Sequence, residues 1–454
     1  MQLVIPRPMQ LGLNTPLELQ NNAAWYSLRG SASDSTYLID GSNRLMLVAD
    51  RSGNSGTNGL VINGVSGNYA SAPDSPTLSI TGDIDVRVWA AANDWTPAAD
   101  QRLLQKYSSS SNGGYGLSIT ATTGVLEFFW SDNVTTFSKA STVAPTVSDF
   151  GSLWVRATLD VDNGAGGNTV TFYTSADGIT WSQLGAAVTT AGTTVIDDGT
   201  QVLAIGSNSA GTGNRFIGTI YRAQIYNGIA GTLAFDANFT LPAKLASSFT
   251  ESSANAATVT VNTSGDLGAR ISGARDLVQL TQANQPIFST SGGYNIGTGD
   301  GTNDYLKAAA FSMVQPASVY FTGSQVTWTI NDILFDGGSV DTMGLQTRTA
   351  TPEVRHQANA TFGNALTSWA VGERAVLSAI YSGAASTLRK NLGASVAGSS
   401  GVAASNGFTL MAGGSGGIAW ANATFAEVIV RSVADDTAMQ NRIAAYLMRN
   451  WGIS

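Results

Sequence analysis

Short runs of alternating apolar and polar residues, each closed by turn-forming residues, recur along this chain in the same order twice. Val170 and Phe172 alternate with Thr171 and Tyr173, the period of a strand with one face on a core and the other toward water. Strand-like runs in the first half are Ile84–Ala90, Arg102–Lys106, Tyr115–Thr120, Val125–Trp130, Leu153–Asp160, Thr169–Thr174, Gln201–Ile205 and Phe216–Tyr226. Asp162-Asn163-Gly164, Asp177-Gly178 and Asn227-Gly228 separate them, and such pairs supply the positive φ that tight hairpins need. The second half repeats the order at a period of roughly 225 residues. Asp304-Tyr305-Leu306 answers Asn68-Tyr69-Ala70. Arg374–Tyr381 and Thr387–Leu392 answer Val155–Asp160 and Thr169–Thr174. Phe408–Gly413 followed by Ala423–Arg431 answers Val202–Gly206 followed by Gly218–Tyr226, and the endings FIGTIYRAQIYNG and ANATFAEVIVRSV match best. Patterning lapses near Pro242–Ser253. The expected organisation is therefore an N-terminal arm over 1–22, a first module over 23–245 and a second over 246–454.

One segment has helical spacing. Met439, Ile443, Tyr446, Leu447 and Trp451 fall on one stripe between Asp435 and Trp451. Asp435 and Asp436 suit its N-terminus, Arg449 its last turn, and Gly452 the position beyond. The stripe is expected to pack on the second module; it is too short for the several heptads of a coiled coil.

Composition narrows function. Charged residues make up 12% of the chain, against about 25% in ordinary soluble proteins. Lysine and arginine number 23 against 31 acidic residues, a net charge of −8, and no basic run is present to grip phosphates, so nucleic acid is not expected as a partner. No stretch of about 18 apolar residues offers a membrane span. Met1 to Met9 holds Pro6 and Pro8 without an apolar core and does not read as a signal peptide. Cysteine is absent, which removes thiolate chemistry and cysteine metal sites.

At this point the residues suggest a family. WYSLRGSASDSTYLIDGSNRLMLVADRSGN, QANQPIF with DGTNDYLKAA, and VRATLDVDNGAGGNTVTFYTSADGITW resemble laminin-G-like, concanavalin A-like lectin and glucanase modules, and more narrowly the copies found in tailed-phage and prophage virion proteins. Gly218, Ile220, Tyr221, Gly228, Ile229 and Gly231 stand in the arrangement those proteins place before a second module. The resemblance covers about 23–454 and implies an all-β fold: two tandem antiparallel jelly-roll β-sandwiches, with a short N-terminal arm and one C-terminal helix. It implies a virion surface protein, a head fibre, decoration or tail-associated component, for host-surface glycan adhesion or particle architecture. Residues 1–22, with Leu3, Ile5 and Leu11, would dock on other virion proteins, and a homo-oligomer is expected. The alternatives are a free, secreted carbohydrate-binding lectin and a glycan hydrolase.

Enzymatic chemistry finds no pattern. Glycanases of the resembled fold use a glutamate pair spaced E-x-D-x-x-E on one strand, and two carboxylates must flank the scissile bond. The glutamates here are Glu18, Glu127, Glu251, Glu353, Glu373 and Glu427, none in that spacing. Glu127, beside Phe128, Phe129 and Trp130, reads as a solvent-face residue. His356 is the single histidine and, with Glu353 and Arg355 as neighbours, is expected on a polar strand face. Gly413-Gly414-Ser415-Gly416-Gly417 fits G-x-S-x-G, but a strand is expected after it where a nucleophile elbow needs a helix. Gly297 to Gly301 reads as a turn. No catalytic residue is assigned.

Two kinds of binding site remain. Asp160, Asp162 and Asn163, before Gly164, offer oxygens for calcium, which also occurs in relatives of this fold; the competing reading is an ordinary hairpin turn. Asp197 and Asp198 are a weaker pair. For a sugar, an aromatic platform should stand beside amide and carboxylate groups. Trp130 with Asp132 and Asn133, Asn112 with Tyr115 and Trp95, and Trp420 with Asn422 meet that description, against the reading that these aromatics fill the core.

Overall fold

The computed structural model describes residues 22–29, 37–52, 56–309, 311–348, 352–359, 361–414 and 416–454. The expected arm, with Leu3, Ile5 and Leu11, lies outside them except for Asn22, as does Ser415.

The chain folds as two antiparallel jelly-roll β-sandwiches with one C-terminal helix. The expected runs fall on strands, among them Ile84–Ala92, Ser152–Asp160, Gly167–Ser175, Ile217–Asn227, Ala375–Tyr381 and Ala423–Arg431. The order of the modules differs from expectation. One unit is Thr57–Ala274; the other combines Arg275–Ser454 with the chain up to Gly56. The inserted unit begins and ends on neighbouring strands, with Gly59 opposite Ser272 and Val61 opposite Arg270. In the host unit the chain leaves from Val48 and returns at Leu277, directly opposite it. The insertion thus replaces a hairpin turn, and a domain whose ends are adjacent disturbs such a site little. The expected boundary over 242–253 lies inside the inserted unit, because Phe249 pairs with Val259 and Thr260 with Ser71 there. Local patterning lapses in this connection, but its edge strands still close the sheet.

In the inserted unit, Val86, Val88, Ala157 and Phe172 of one sheet share a core with Leu117, Phe128, Leu203 and Ile205 of the other. The host unit is built alike: Val319, Phe321, Leu377 and Val428 meet Leu345, Phe335 and Leu410. The duplication reaches single residues. The Ile217–Asn227 strand shifts register between Ile220 and Arg222, so Tyr221 bulges. The Ala423–Arg431 strand shifts between the partners of Phe425 and Glu427, so Ala426 bulges. The two matched sequence endings therefore coincide at a structural defect, and a bulge fixes register by adding one unpaired residue.

The strands beside these bulges are joined differently. In the inserted unit Arg222 makes a bidentate pair with Asp236, 2.6 Å to each oxygen. At the equivalent place in the host, Glu427 lies fully buried and accepts from three donors. Trp25 Nε1 and Trp451 Nε1 each donate at 2.6 Å and the Tyr446 hydroxyl at 3.2 Å. One carboxylate thereby ties the Asn22–Ser27 strand and the Thr437–Asn450 helix to the sheet. The helix starts where the sequence indicates: Asp436 is its N-cap and accepts from the Met439 N–H at 2.8 Å.

Two outcomes follow. Replacing residues 53–274 by a short Gly-Ser linker leaves a folded host, and 57–274 expressed alone folds cooperatively, as read by circular dichroism and calorimetry; an unfolded host after excision contradicts the nested arrangement. Glu427→Gln puts an amide N–H against an indole donor and costs the host unit about 2–4 kcal/mol in urea unfolding, as expected for a broken buried polar network. An unchanged midpoint shows that the carboxylate does not hold the three donors.

Candidate functional site

The outward face of the sheet containing Gln101–Lys106, Tyr115–Ile119 and Leu126–Ser131 is set by strand parity. Leu126, Phe128 and Trp130 point into the core, so Glu127 and Phe129 point out. Tyr115, Leu117 and Ile119 face the same core, leaving Gly116 and Ser118 outward. Arg102 lies across this face with its guanidinium 4.2 Å from the Phe129 ring centroid, donates to Ser118 Oγ, and stands 3.6 Å from the Glu127 carboxylate. A Cβ at position 116 would come 2.2 Å from the Phe129 ring, so glycine makes room for the aromatic shelf. Tyr107 meets Phe129 edge-on at 5.4 Å and 88°, and its hydroxyl is 2.8 Å from Thr136 Oγ1.

Beside this shelf opens a cavity of about 320 Å³ lined by Arg102, Gln105, Tyr107, Gln201, Ser209 and Asn214, among others. That is at the small end of the ~300–1,000 Å³ of small-ligand sites. Its walls are fixed by the backbone: the Arg102 N–H donates to the Asn214 carbonyl at 2.7 Å, and Gln105 Nε2 to the Tyr107 carbonyl at 2.8 Å. Arg102 Nε is buried and has no hydrogen-bond partner. Burial also pulls the guanidinium pKa below its ordinary value, with Glu127 opposing the shift. A guanidinium, amides, a phenol and hydroxyls around one opening make a set suited to a polyhydroxylated ligand.

Counting from the bulge, Ile217 and Asn214 of the inserted unit correspond to Asn422 and Ala419 of the host. Asn214 and Ala419 both take left-handed φ, 49° and 55°, and the Ile333 N–H donates to the Ala419 carbonyl at 2.8 Å, as Arg102 does to Asn214. The host thus has Ile333 for Arg102 and Ala419 for Asn214. Ile333 is buried, so this corner of the host is closed by apolar packing.

The sequence-expected residues fall elsewhere. Trp130 is fully buried, 2.9 Å from Thr194 Oγ1 and stacked on Phe137. Tyr115 donates to the Leu78 carbonyl and Trp95 to the Gly151 carbonyl, both buried. None of the three rings offers a face to a sugar. Asp132 accepts from the Val134 and Thr135 N–H groups, which lowers its pKa, and Asn133 is the left-handed residue of that turn. Asn112 Oδ1 holds the Thr200 N–H at 2.9 Å. Trp420, half-buried, donates to the Gly416 carbonyl, and Asn422 occupies the Ile217 position. Asp162 and Asn163 close their turn on the N–H groups of Gly164, Ala165 and Gly167, and Asp160 lies at the end of the Ser152–Asp160 strand. Among the described residues no cluster of three or more acidic or histidine side chains is placed to hold a metal. Asp198 stands 3.7 Å from the buried Lys106 ammonium, and Asp197 accepts from the Gly113 N–H.

The cavity residues escaped sequence reasoning because they come from separate stretches, around 102–108, at 201 and around 208–214. The available signals were Arg102, next to the apolar pair Leu103-Leu104, and Asn214 in a Gly-rich turn. Another face of the inserted unit carries a ladder missed in the same way. Arg87 and Arg156 both pair bidentately with the buried Asp85 and lie against Trp181, so one carboxylate is shared by two guanidinium groups.

His356 is not on a polar face. It is buried, edge-on to Tyr381 at 5.9 Å, in space left by Gly363, where a Cβ would come 2.2 Å from the ring. The strand Val354–Ala358 alternates Val354, His356 and Ala358 inward. Between Gly414 and the strand Ala423–Arg431 no helix is present among the described residues, and Asp300 closes a turn on Thr302 and Asn303.

No protein-family model and no curated protein matches the chain. Solved structures similar to it include domains LG4-5 of the mouse laminin α1 chain, at 14% identity over 82% of this chain and 87% of that one, TM-score 0.28. The CBM40 of Ruminococcus gnavus IT-sialidase bound to α2,3-sialyllactose matches at 14% identity over 37% and 92%, TM-score 0.28. A putative carbohydrate-binding protein from Bacteroides ovatus matches at 12% over 45% and 57%, TM-score 0.32. At these scores the fold rests on the strand pairing described above.

Burial lowers the His356 pKa from 6.5 to about 4. Between those values the unfolded chain binds a proton that the native chain does not, so stability rises with pH across this window and is lost on acidification. The loss amounts to about 3 kcal/mol at most. Burial raises Asp332 to about 6 and Asp304 to about 7, which act in the opposite direction. The comparison is therefore between the wild type and His356→Phe: on going from pH 7 to pH 4.5 the wild type is expected to lose about 2–3 kcal/mol relative to the variant, and parallel pH profiles exclude the histidine as the cause.

Proposed function

We propose that this protein is a non-catalytic, lectin-like adhesin in which the inserted sandwich binds glycans and the host sandwich serves as its mount, carried on the surface of a virion. The observation that carries the glycan reading is the Arg102 corner. A guanidinium flanked by amides, hydroxyls and the Tyr107 phenol lines a cavity on one module, where the duplicate places the buried Ile333. Sugars present hydroxyls that donate and accept, and C–H faces that rest on aromatics. Glu127, held beside Arg102, positions the guanidinium in this reading. The virion placement draws on the sequence resemblance, and residues 1–22 would make the attachment to other virion proteins.

A glycan array with the full-length chain tests the binding reading. Binding to a defined set of glycans is expected, with at least a tenfold loss in Arg102→Ala and in Gln201→Ala and no change in thermal midpoint for the exposed-wall variant. The array blank for the wild type, or unaffected by both variants, overturns it.

A further inference from the structure

A second cavity, of about 460 Å³, adjoins the first, and Asn214 lines both. Its character differs. One wall is Pro97, Ala98, Ala99 and Ile217, and the others include Asp94 and Asp100. Ile217 is 38% exposed, an unusual place for isoleucine, and the backbone is built around it. Gly64 takes φ +75°, and a Cβ there would come 2.6 Å from Ile217 Cγ1. The Ile217 N–H is held by Gln101 Oε1 at 3.0 Å, and its carbonyl accepts from Asn93 at 2.9 Å. Asp94 Oδ1 accepts from Thr96 at 2.7 Å and Asp100 Oδ1 from the Ala121 N–H at 2.8 Å, which leaves each carboxylate a second oxygen.

We infer that the paired cavities select glycans bearing N-acetylated amino sugars, with pyranose hydroxyls in the Arg102 cavity and an acetamido group in the Ile217 cavity. This rests on the glycan-binding reading above. The choice among substituents follows from chemistry. An apolar wall alone would suit any methyl group, including that of a 6-deoxy sugar. Two carboxylates and the Arg215 guanidinium beside that wall call for a planar group with both a donor and an acceptor next to the methyl, which the acetamido N–H and carbonyl supply. The Arg215 guanidinium donates to the Gly64 and Thr212 carbonyls and is outnumbered by the two carboxylates, while Arg102 has Glu127 at 3.6 Å; the balance of charge disfavours an anionic sugar, so the ligand is neutral.

The test uses the full chain on matched glycans that differ only in an acetamido group (N-acetylglucosamine against glucose, N-acetylgalactosamine against galactose), with sialylated and uronic-acid glycans alongside. The bound glycans are expected to carry neutral N-acetylhexosamines. Ile217→Ser and the cavity-filling Ala99→Phe should each weaken them at least tenfold while leaving the thermal midpoint within about 2 °C of the parent. Equal binding of the matched sugars, preference for the anionic glycans, or full affinity in both variants overturns this inference while the glycan-binding reading stands. Absence of binding to every glycan overturns both.

Discussion

The pairing of Val48 with Leu277 is the constraint on which the molecule depends. It seats an entire sandwich at a hairpin turn of another, and it is backed by the Asp50 N–H donating to Asp276 at 3.0 Å. A host interrupted this way must complete its sheet from residues far apart in sequence. The Asn22–Ser27 strand accordingly pairs with Ala423–Arg431, and Glu427 binds an indole from each end of the chain. Closing so long a loop carries an entropic cost that grows only slowly with length, but it delays the contact. The inserted unit has its own core and adjacent ends, so its folding need not wait for the host.

Duplication followed by divergence explains why one corner is open and its twin shut. The bulges at Tyr221 and Ala426 keep the two copies in phase, and a bulge cannot slide without reversing which side chains face the core. With the backbone held fixed, single replacements decide the corner. An arginine in Ile333's place would need polar partners in a packed apolar pocket, whereas Arg102 lies over Phe129 at a solvated edge with Glu127 and Ser118 to share its donors.

Strand positions were legible because period-two patterning is local: Val170 to Tyr173 needs no knowledge of its partners. The helix was legible for the same reason, from Asp436 to Trp451. Module boundaries were not, because pairing is non-local. Nothing in the residues around Leu45–Val48 states that their partner lies beyond Ala274. The site was misread through parity. Trp130 was weighed with the polar residues that follow it, although Leu126, Phe128 and Trp130 share the core face and Glu127 and Phe129 lie on the other, with Phe129 covered by Arg102 and Tyr107. His356 was misread from its neighbours Glu353 and Arg355, when Val354 and Ala358 two positions away set its direction. The cavity itself draws on Arg102, Gln201 and Asn214, which no spacing rule brings together.

A groove of this kind, on the reading proposed above, binds weakly as a single site. Each hydrogen bond to a sugar replaces one to water and gains about 0.5–1.5 kcal/mol. A cavity of about 320 Å³ admits few such bonds, and a total near −4 kcal/mol corresponds to a dissociation constant of about 1 mM. Two features raise that figure. The walls are held by strand hydrogen bonds rather than ordered on binding, which reduces the entropic cost, and Arg102 is charged, so a hydrogen bond to its guanidinium is worth more than one to a neutral donor. Neither raises a single site to tight binding. Adhesion through it requires many copies presented together, where a second contact is made at high effective concentration, and a repeating surface supplies that arrangement.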